Sequence, residues 1–117
     1  VLQFEQNHSI LKKNDDLVIV ALVDDLFAGG VHGEIKKDSM YVNLLVVNES
    51  YRGKKVGTNL MQKLEEIAKT KGVVQIDLGT TQFQARQFYE KLGYKVIMTR
   101  NDFPKGFFCY TLIKDIT

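Results

Sequence analysis

Residues 52–57, Arg52-Gly53-Lys54-Lys55-Val56-Gly57, bring cations and glycines together where a helix is about to begin. The start of a helix carries about half a positive charge and favours anions. Basic side chains there are misplaced for an isolated helix. Gly53 and Gly57 are poor helix formers as well, since glycine costs about 1 kcal/mol against alanine in a helix interior. Both features make sense where backbone N–H groups must approach a phosphate closely. The segment reads either as a cradle for a pyrophosphate or as a solvated turn with incidental lysines.

The flanks favour the cradle. Leu44-Leu45-Val46-Val47 is a continuous apolar run, too short for a helix, and predicts a strand covered on both faces. After the loop, Val56, Leu60, Leu64, Ile67 and Ala68 recur at helical spacing, with Met61 at the edge of the stripe. Gly72 stands where a helix C′ glycine belongs, and Lys69 and Lys71 suit the negative end. The order is strand, phosphate-type loop, helix. It is not the nucleotide P-loop G-x-x-x-x-G-K-[ST], because Asn48 stands five residues before Gly53 and Lys55 follows Lys54. The dinucleotide fingerprint G-x-G-x-x-G is also absent.

The stretch from Leu45 to Gly57 resembles motif A of the GCN5-related N-acetyltransferase (GNAT) family, Arg/Gln-x-x-Gly-x-Gly/Ala after a strand of the form Leu-x-Val. A second block, Ala85-Arg86-Gln87-Phe88-Tyr89-Glu90-Lys91-Leu92-Gly93-Tyr94, is similar to the family's motif B, a short helix ending in Phe-Tyr-x-x-x-Gly-Phe/Tyr. The stretch from Asp77 to Ala85, with Thr80 and Gln84, matches a subset of short bacterial members, as does Asp102-Phe103-Pro104-Lys105-Gly106. The resemblance covers about residues 16 to 114. One position departs from the family pattern: Lys55 stands where motif A has a glycine. That side chain could crowd a pyrophosphate or add a cation beside it.

The resemblance implies an N-acetyltransferase that uses acetyl-CoA and an amine acceptor by direct attack. Acyl transfer of this kind needs the donor held, its carbonyl polarised, the amine deprotonated and the leaving thiolate protonated. The family assigns the first task to the backbone of Arg52, Gly53, Lys54, Lys55, Val56, Gly57 and Thr58. It assigns the second to a strand N–H at Val46 or Val47, next to Leu45, where this strand splays from the one bearing Leu78 and Gly79. Phe88 is a further implied cofactor contact. Tyr89 matches the motif B tyrosine that serves many members as general acid, although its apolar helix face also suits an ordinary core residue. For the base, His32, Glu34, Tyr41 and Asn43 stand open, and Glu34 leads because the family often uses a carboxylate from this region. The alternative is a non-catalytic acyl-CoA-binding regulatory module, which would not need Tyr89. The acceptor stays open among a polyamine-like amine, an antibiotic, an amino acid and a protein N-terminus.

The elements that must position these groups can be read along the chain. Leu2, Phe4 and Ile10 suggest the remnant of a helix. A strand is expected over Leu17 to Val23, then a turn at Asp24-Asp25. Its hairpin partner runs from Leu26 to Ile35, weakened or bulged by Gly29, Gly30 and Gly33. A third strand spans 40–47, followed by a helix over 55–71, a strand over 73–78 and a short helix over 84–92 that stops at Gly93. Strands near 95–99 and 107–113 finish the chain. Together these give a single α/β domain over 1–117, a mixed and mostly antiparallel sheet with helices on both faces; the resemblance implies the GNAT fold, shortened at its N-terminus. The start at Val1 rather than Met fits a fragment or a processed chain. An oligomer such as a homodimer could cover the face the short N-terminus exposes.

Composition sets the remaining bounds. A net charge of +2 on 117 residues gives no case for nucleic acid or a membrane surface. No apolar run is long enough to span a bilayer, and no secretory leader is recognisable. The single Cys109 permits no internal disulfide and fits a cytoplasmic location; among Phe107, Phe108 and Tyr110 it reads as a packed thiol. Two histidines and one cysteine, far apart, lack metal-ligand spacing, so no metal is expected.

Overall fold

The computed structural model describes residues 2–7, 15–102 and 105–117. Its strands are β1 (Leu2–Asn7), β2 (Asp15–Val23), β3 (Leu26–Lys36), β4 (Ser39–Val47), β5 (Gln75–Thr80), β6 (Lys95–Asn101) and β7 (Phe108–Asp115). A short 3-10 turn, Glu49–Tyr51, leads into α1 (Val56–Thr70), and α2 (Phe83–Lys91) follows β5. The strands form one sheet in the order β1-β2-β3-β4-β5-β7-β6. Every pairing is antiparallel except β4 with β5.

The chain opens on a strand, not on the helix remnant read from Leu2, Phe4 and Ile10. Leu2 and Phe4 are two residues apart, the period of a strand, and β1 finds a full antiparallel partner in β2. Ile10 lies outside the described residues. The Asp24-Asp25 turn is a two-residue hairpin with φ of 51° and 65°, the left-handed pair that the right-handed twist of a hairpin favours. Elsewhere the elements fall within two residues of their expected bounds. Both helices end in a paired left-handed cap. After α1, the Gly72 N–H donates to Lys69 O and the Val73 N–H to Ala68 O; after α2, Gly93 donates to Glu90 O and Tyr94 to Tyr89 O.

Burial runs at period two, as a sheet covered on one face requires. Leu17, Ile19 and Ala21 of β2, Val31 and Ile35 of β3, Ile76 and Leu78 of β5 and Leu112 of β7 are buried against Val56, Leu60, Met61, Leu64 and Ala68 of α1. α1 lies across β2, β3 and β4, and α2 across β5 and β6. Of the helices expected on both faces, the two among the described residues share one. Their contact is close: a Cβ on Gly57 of α1 would stand 3.3 Å from the Phe88 ring of α2. Glu65 ties α1 to the far half of the sheet. Its carboxylate accepts from the Tyr94 hydroxyl at 2.9 Å and from Lys114 Nζ at 2.8 Å.

The strand that leads into the basic loop is irregular in one place. β3 and β4 pair Gly33 with Val42 and His32 with Leu44, so Asn43 is an extra, unpaired residue. One extra residue reverses which side chains face the core. Met40 and Val42 are buried before it; after it Leu45 and Val47 turn inward, while Leu44 and Val46 are 57% and 38% exposed. The 44–47 run is therefore covered on one face, not on both. Glycines in β3 allow the close packing this demands.

Gly29→Ala tests that packing. The added Cβ would stand 2.6 Å from the Val46 carbonyl oxygen and 3.2 Å from the Leu60 and Val56 side chains. Overpacking against backbone costs about 1–3 kcal/mol, so urea unfolding of this variant is expected to show a loss of that size.

Candidate active site

The parallel ladder between β4 and β5 is short. Ser39 pairs with Gln75, Met40 with Ile76 and Tyr41 with Asp77, and the pairing ends there. Both strands continue, β4 to Val47 and β5 to Thr80. β5 stays paired with β7 through Thr80 and β4 with β3 through Val47. The Asn43 bulge bends and twists β4 immediately after Tyr41, so a gap opens between the two strands. Successive N–H groups of a strand point to opposite sides. The Asn48 N–H donates to Ala28 O of β3 at 2.7 Å, which turns those of Val47 and Leu45 the other way, toward the gap. The expected donor was Val46 or Val47; alternation selects Val47.

α1 begins beside that gap with its first N–H groups open. Lys55 is its N-cap and makes no side-chain capping bond, and the first turn holds no acidic residue. The Asn59 N–H is the first to be taken up within the helix, by Lys55 O at 3.0 Å. The preceding donors at Val56, Gly57 and Thr58 are the orphan groups of a helix start, suited to an anion. Lys55 has φ of 62°, the left-handed conformation. This is why motif A carries a glycine at the position: a side chain there costs about 1–2 kcal/mol. Gly53 is also left-handed, at φ 80°, with open space where a Cβ would stand.

The gap, the start of α1 and α2 enclose a cavity of about 570 Å³, within the usual range for ligand sites. Among the expected residues, Leu45, Val47, Arg52, Gly53, Lys55, Val56, Gly57, Thr58, Phe88 and Tyr89 line it. The other four stand elsewhere. Val46 faces the opposite side of the sheet, and Lys54 Nζ stacks 6.0 Å above the Tyr51 ring. Gly79 and Glu34 line separate hollows on the opposite face. Tyr51, Gln82, Gln84 and Ala85 complete the lining without having been expected. Gln84 and Ala85 precede Phe88 and Tyr89 by three or four residues, so helical spacing alone puts them on the same face.

Tyr89 is buried, with its ring edge-on to Phe88 at 5.1 Å and to Tyr94 at 5.8 Å. Burial pushes its phenol pKa up from the ordinary value near 10, so the hydroxyl stays protonated at neutral pH. Tyr94 is raised further, by burial and then by the negative charge of Glu65 and its hydrogen bond. Among the described residues no three His, Cys, Asp or Glu side chains are grouped to hold a metal, and no helix is long and apolar enough to cross a membrane. The Gly106 N–H donates to Asp102 Oδ1 at 2.6 Å in the 102–106 loop, whose Phe103 and Pro104 lie outside the described residues.

The family model for the acetyltransferase (GNAT) family matches residues 2–94, the stretch that holds the splayed strands, the open helix start and the buried tyrosine. The chain belongs to the GNAT family. The blasticidin-S acetyltransferase of Streptomyces morookaense is 31% identical over 90 residues, which are 76% of this chain and 66% of that protein. The GNAT domain described here thus spans about two thirds of that relative. An acetyltransferase from Bacillus cereus superposes with a TM-score of 0.79 at 33% identity, covering 86% of this chain and 72% of its own. The PaiA N-acetyltransferase of Thermoplasma acidophilum, solved with coenzyme A, superposes at 0.76 with 25% identity, covering 86% and 60%.

Lys55→Gly isolates the strain at the loop. The left-handed penalty of about 1–2 kcal/mol is relieved, less the unfolded-state freedom that glycine adds. A stabilisation of roughly 0.5–1 kcal/mol is expected, read as a higher denaturation midpoint in urea.

Proposed function

We propose that this GNAT domain transfers an acetyl group from acetyl-CoA to a primary amine by direct attack, without an acyl-enzyme. The observation that carries the reading is the meeting, in one cavity, of an uncapped helix start, unpaired strand N–H groups and a buried phenol. The relatives support it, since those named are acetyltransferases and one was solved with coenzyme A.

Acetyl-CoA supplies the acetyl group as a thioester on an arm that carries a pyrophosphate. The donors of Val56, Gly57 and Thr58 face that pyrophosphate, Gly53 lets the loop approach it, and Arg52 adds a charge-assisted contact. The Val47 N–H polarises the thioester carbonyl. A preorganised donor of this kind is worth about 3–4 kcal/mol in an oxyanion site. The amine nitrogen forms its bond to the carbonyl carbon as the carbon–sulfur bond breaks, and Tyr89 gives its proton to the departing thiolate. Glu34 lies on the opposite face of the sheet, so as base it takes the amine proton through water. A cytoplasmic setting belongs to the same reading and is supported by the single free Cys109.

Tyr89→Phe removes the proton and leaves the ring. A general acid contributes about 10²–10⁴-fold, so kcat in a thiol-release assay over a panel of primary amines is expected to fall by at least about 10²-fold, with acetyl-CoA affinity unchanged. The acid must be protonated to act, and its pKa lies above that of an ordinary phenol. The Tyr89-dependent rate should therefore not decline between pH 7 and the ordinary phenol value of about 10. An undiminished kcat in the variant contradicts the assignment.

A further inference from the structure

Beside the gap between β4 and β5 there is also a hollow on the face opposite α1 and α2. A cavity of about 480 Å³ there is lined by Tyr41, Gly79, Thr80, Thr81, Gln82 and Cys109. Gln82 also lines the cavity that holds Tyr89. Tyr41 is shared with a third hollow of about 280 Å³, whose lining includes Asp77, Glu34 and Lys36. Gln82 thus stands between the first and second of these spaces, and Tyr41 between the second and third.

Sheet register explains the arrangement. Tyr41 of β4 pairs with Asp77 of β5 in the last rung before the strands part. Directly paired residues share a face, so the ring and the carboxylate emerge side by side on the acceptor side of the gap. Tyr41 is about half exposed, and its hydroxyl leans across β5 to within 3.4 Å of where a Cβ on Gly79 would stand. The absence of a side chain at Gly79 gives the ring that position. Gln75 Nε2 donates to Asp77 Oδ1 at 2.8 Å and orients the carboxylate. The ring thus divides a neutral cavity at the gap from a carboxylate-bearing hollow beyond it.

We propose that the acceptor is a diamine-type molecule whose reacting amine enters the cavity at Gly79 and Gln82 while a second ammonium group rests against Asp77, on the far side of the Tyr41 ring. The proposal rests on the acetyl-transfer reading above. Gly79 and Asp77 stand two residues apart on β5, about 6.6 Å at the rise of a strand, a separation that a short aliphatic spacer crosses. The Tyr41 face offers the intervening cationic chain a further attraction, and a charge-assisted contact to the carboxylate is stronger than a neutral one.

The test compares 1,4-diaminobutane with 1-aminobutane, which differ by one ammonium, in wild type and in Asp77→Asn, with acetyl-CoA affinity measured by calorimetry in each. Wild type is expected to favour the diamine in kcat/KM by about tenfold or more, the scale of one charge-assisted hydrogen bond. Asp77→Asn should lose most of that preference through KM, with acetyl-CoA affinity unchanged. Should the variant not fold, salt gives the same readout in wild type, because screening must raise KM for the diamine more than for the monoamine. Equal use of the two amines, a preference untouched by both Asp77→Asn and salt, or tight acetyl-CoA binding with neither amine acetylated overturns the diamine proposal and leaves the acetyl-CoA reading standing. Failure of wild type to bind acetyl-CoA overturns both.

Discussion

Asn43 is the extra residue that keeps β4 from following β5, and the arrangement of the site depends on that separation. In a regular parallel pair the strand N–H groups after Tyr41 would be taken up by β5, and Leu45 and Val47 would face the side that Leu44 and Val46 now occupy. The bulge does both jobs at once. It frees the Val47 N–H toward a gap and rotates Leu45 and Val47 into the wall of the cavity beside α1. Unpaired backbone donors are costly to bury, so the gap makes physical sense as a place that a polar arm fills. The glycines of β3 belong to the same device. Gly29 brings the β3 backbone close to β4 beneath Leu60, and Gly33 leaves room for the Met40 side chain beside the bulge.

The cation-rich loop complements the gap from the other side. Its helix starts without a capping side chain, which leaves N–H groups free at the cost of helix stability. Lys55 adds strain in the left-handed conformation. Compensation lies at the opposite ends of the helices, where both carry a fully bonded left-handed cap, and at Glu65, which binds Tyr94 between α2 and β6 and Lys114 of β7. That junction reaches the site as well. Tyr94 packs edge-on to Tyr89, so the Glu65 carboxylate on α1 holds the ring against which the proposed acid rests.

Much of this was legible in the residues. The apolar stripe from Val56 to Ala68, the glycine stops at Gly72 and Gly93 and the Asp-Asp turn carry their own physical reasons, and each lies where those reasons put it. The bulge did not announce itself. Met40 to Val47 contains a continuous apolar run, and such a run hides the change of parity that an inserted residue produces. The initial strand was obscured similarly, because a strand's partner is set across the sheet and not by local spacing. Tyr94 enters the sequence reading only as the end of the second motif, and its link to Glu65 spans 29 positions, beyond any local pattern. Gln82 carries no reading in the sequence; only the fold shows that it caps α2 and lines two cavities.

The central claim is that the gap between β4 and β5 and the start of α1 form one binding surface for acetyl-CoA. An amide-resolved NMR titration of the ¹⁵N-labelled chain with acetyl-CoA tests it most directly. The account predicts that the largest shifts fall together on Leu45, Val47 and the amides from Gly53 to Thr58, with Phe88 and Tyr89 following. Shifts confined to another face of the sheet, or the helix start responding while Leu45 and Val47 do not, would contradict it.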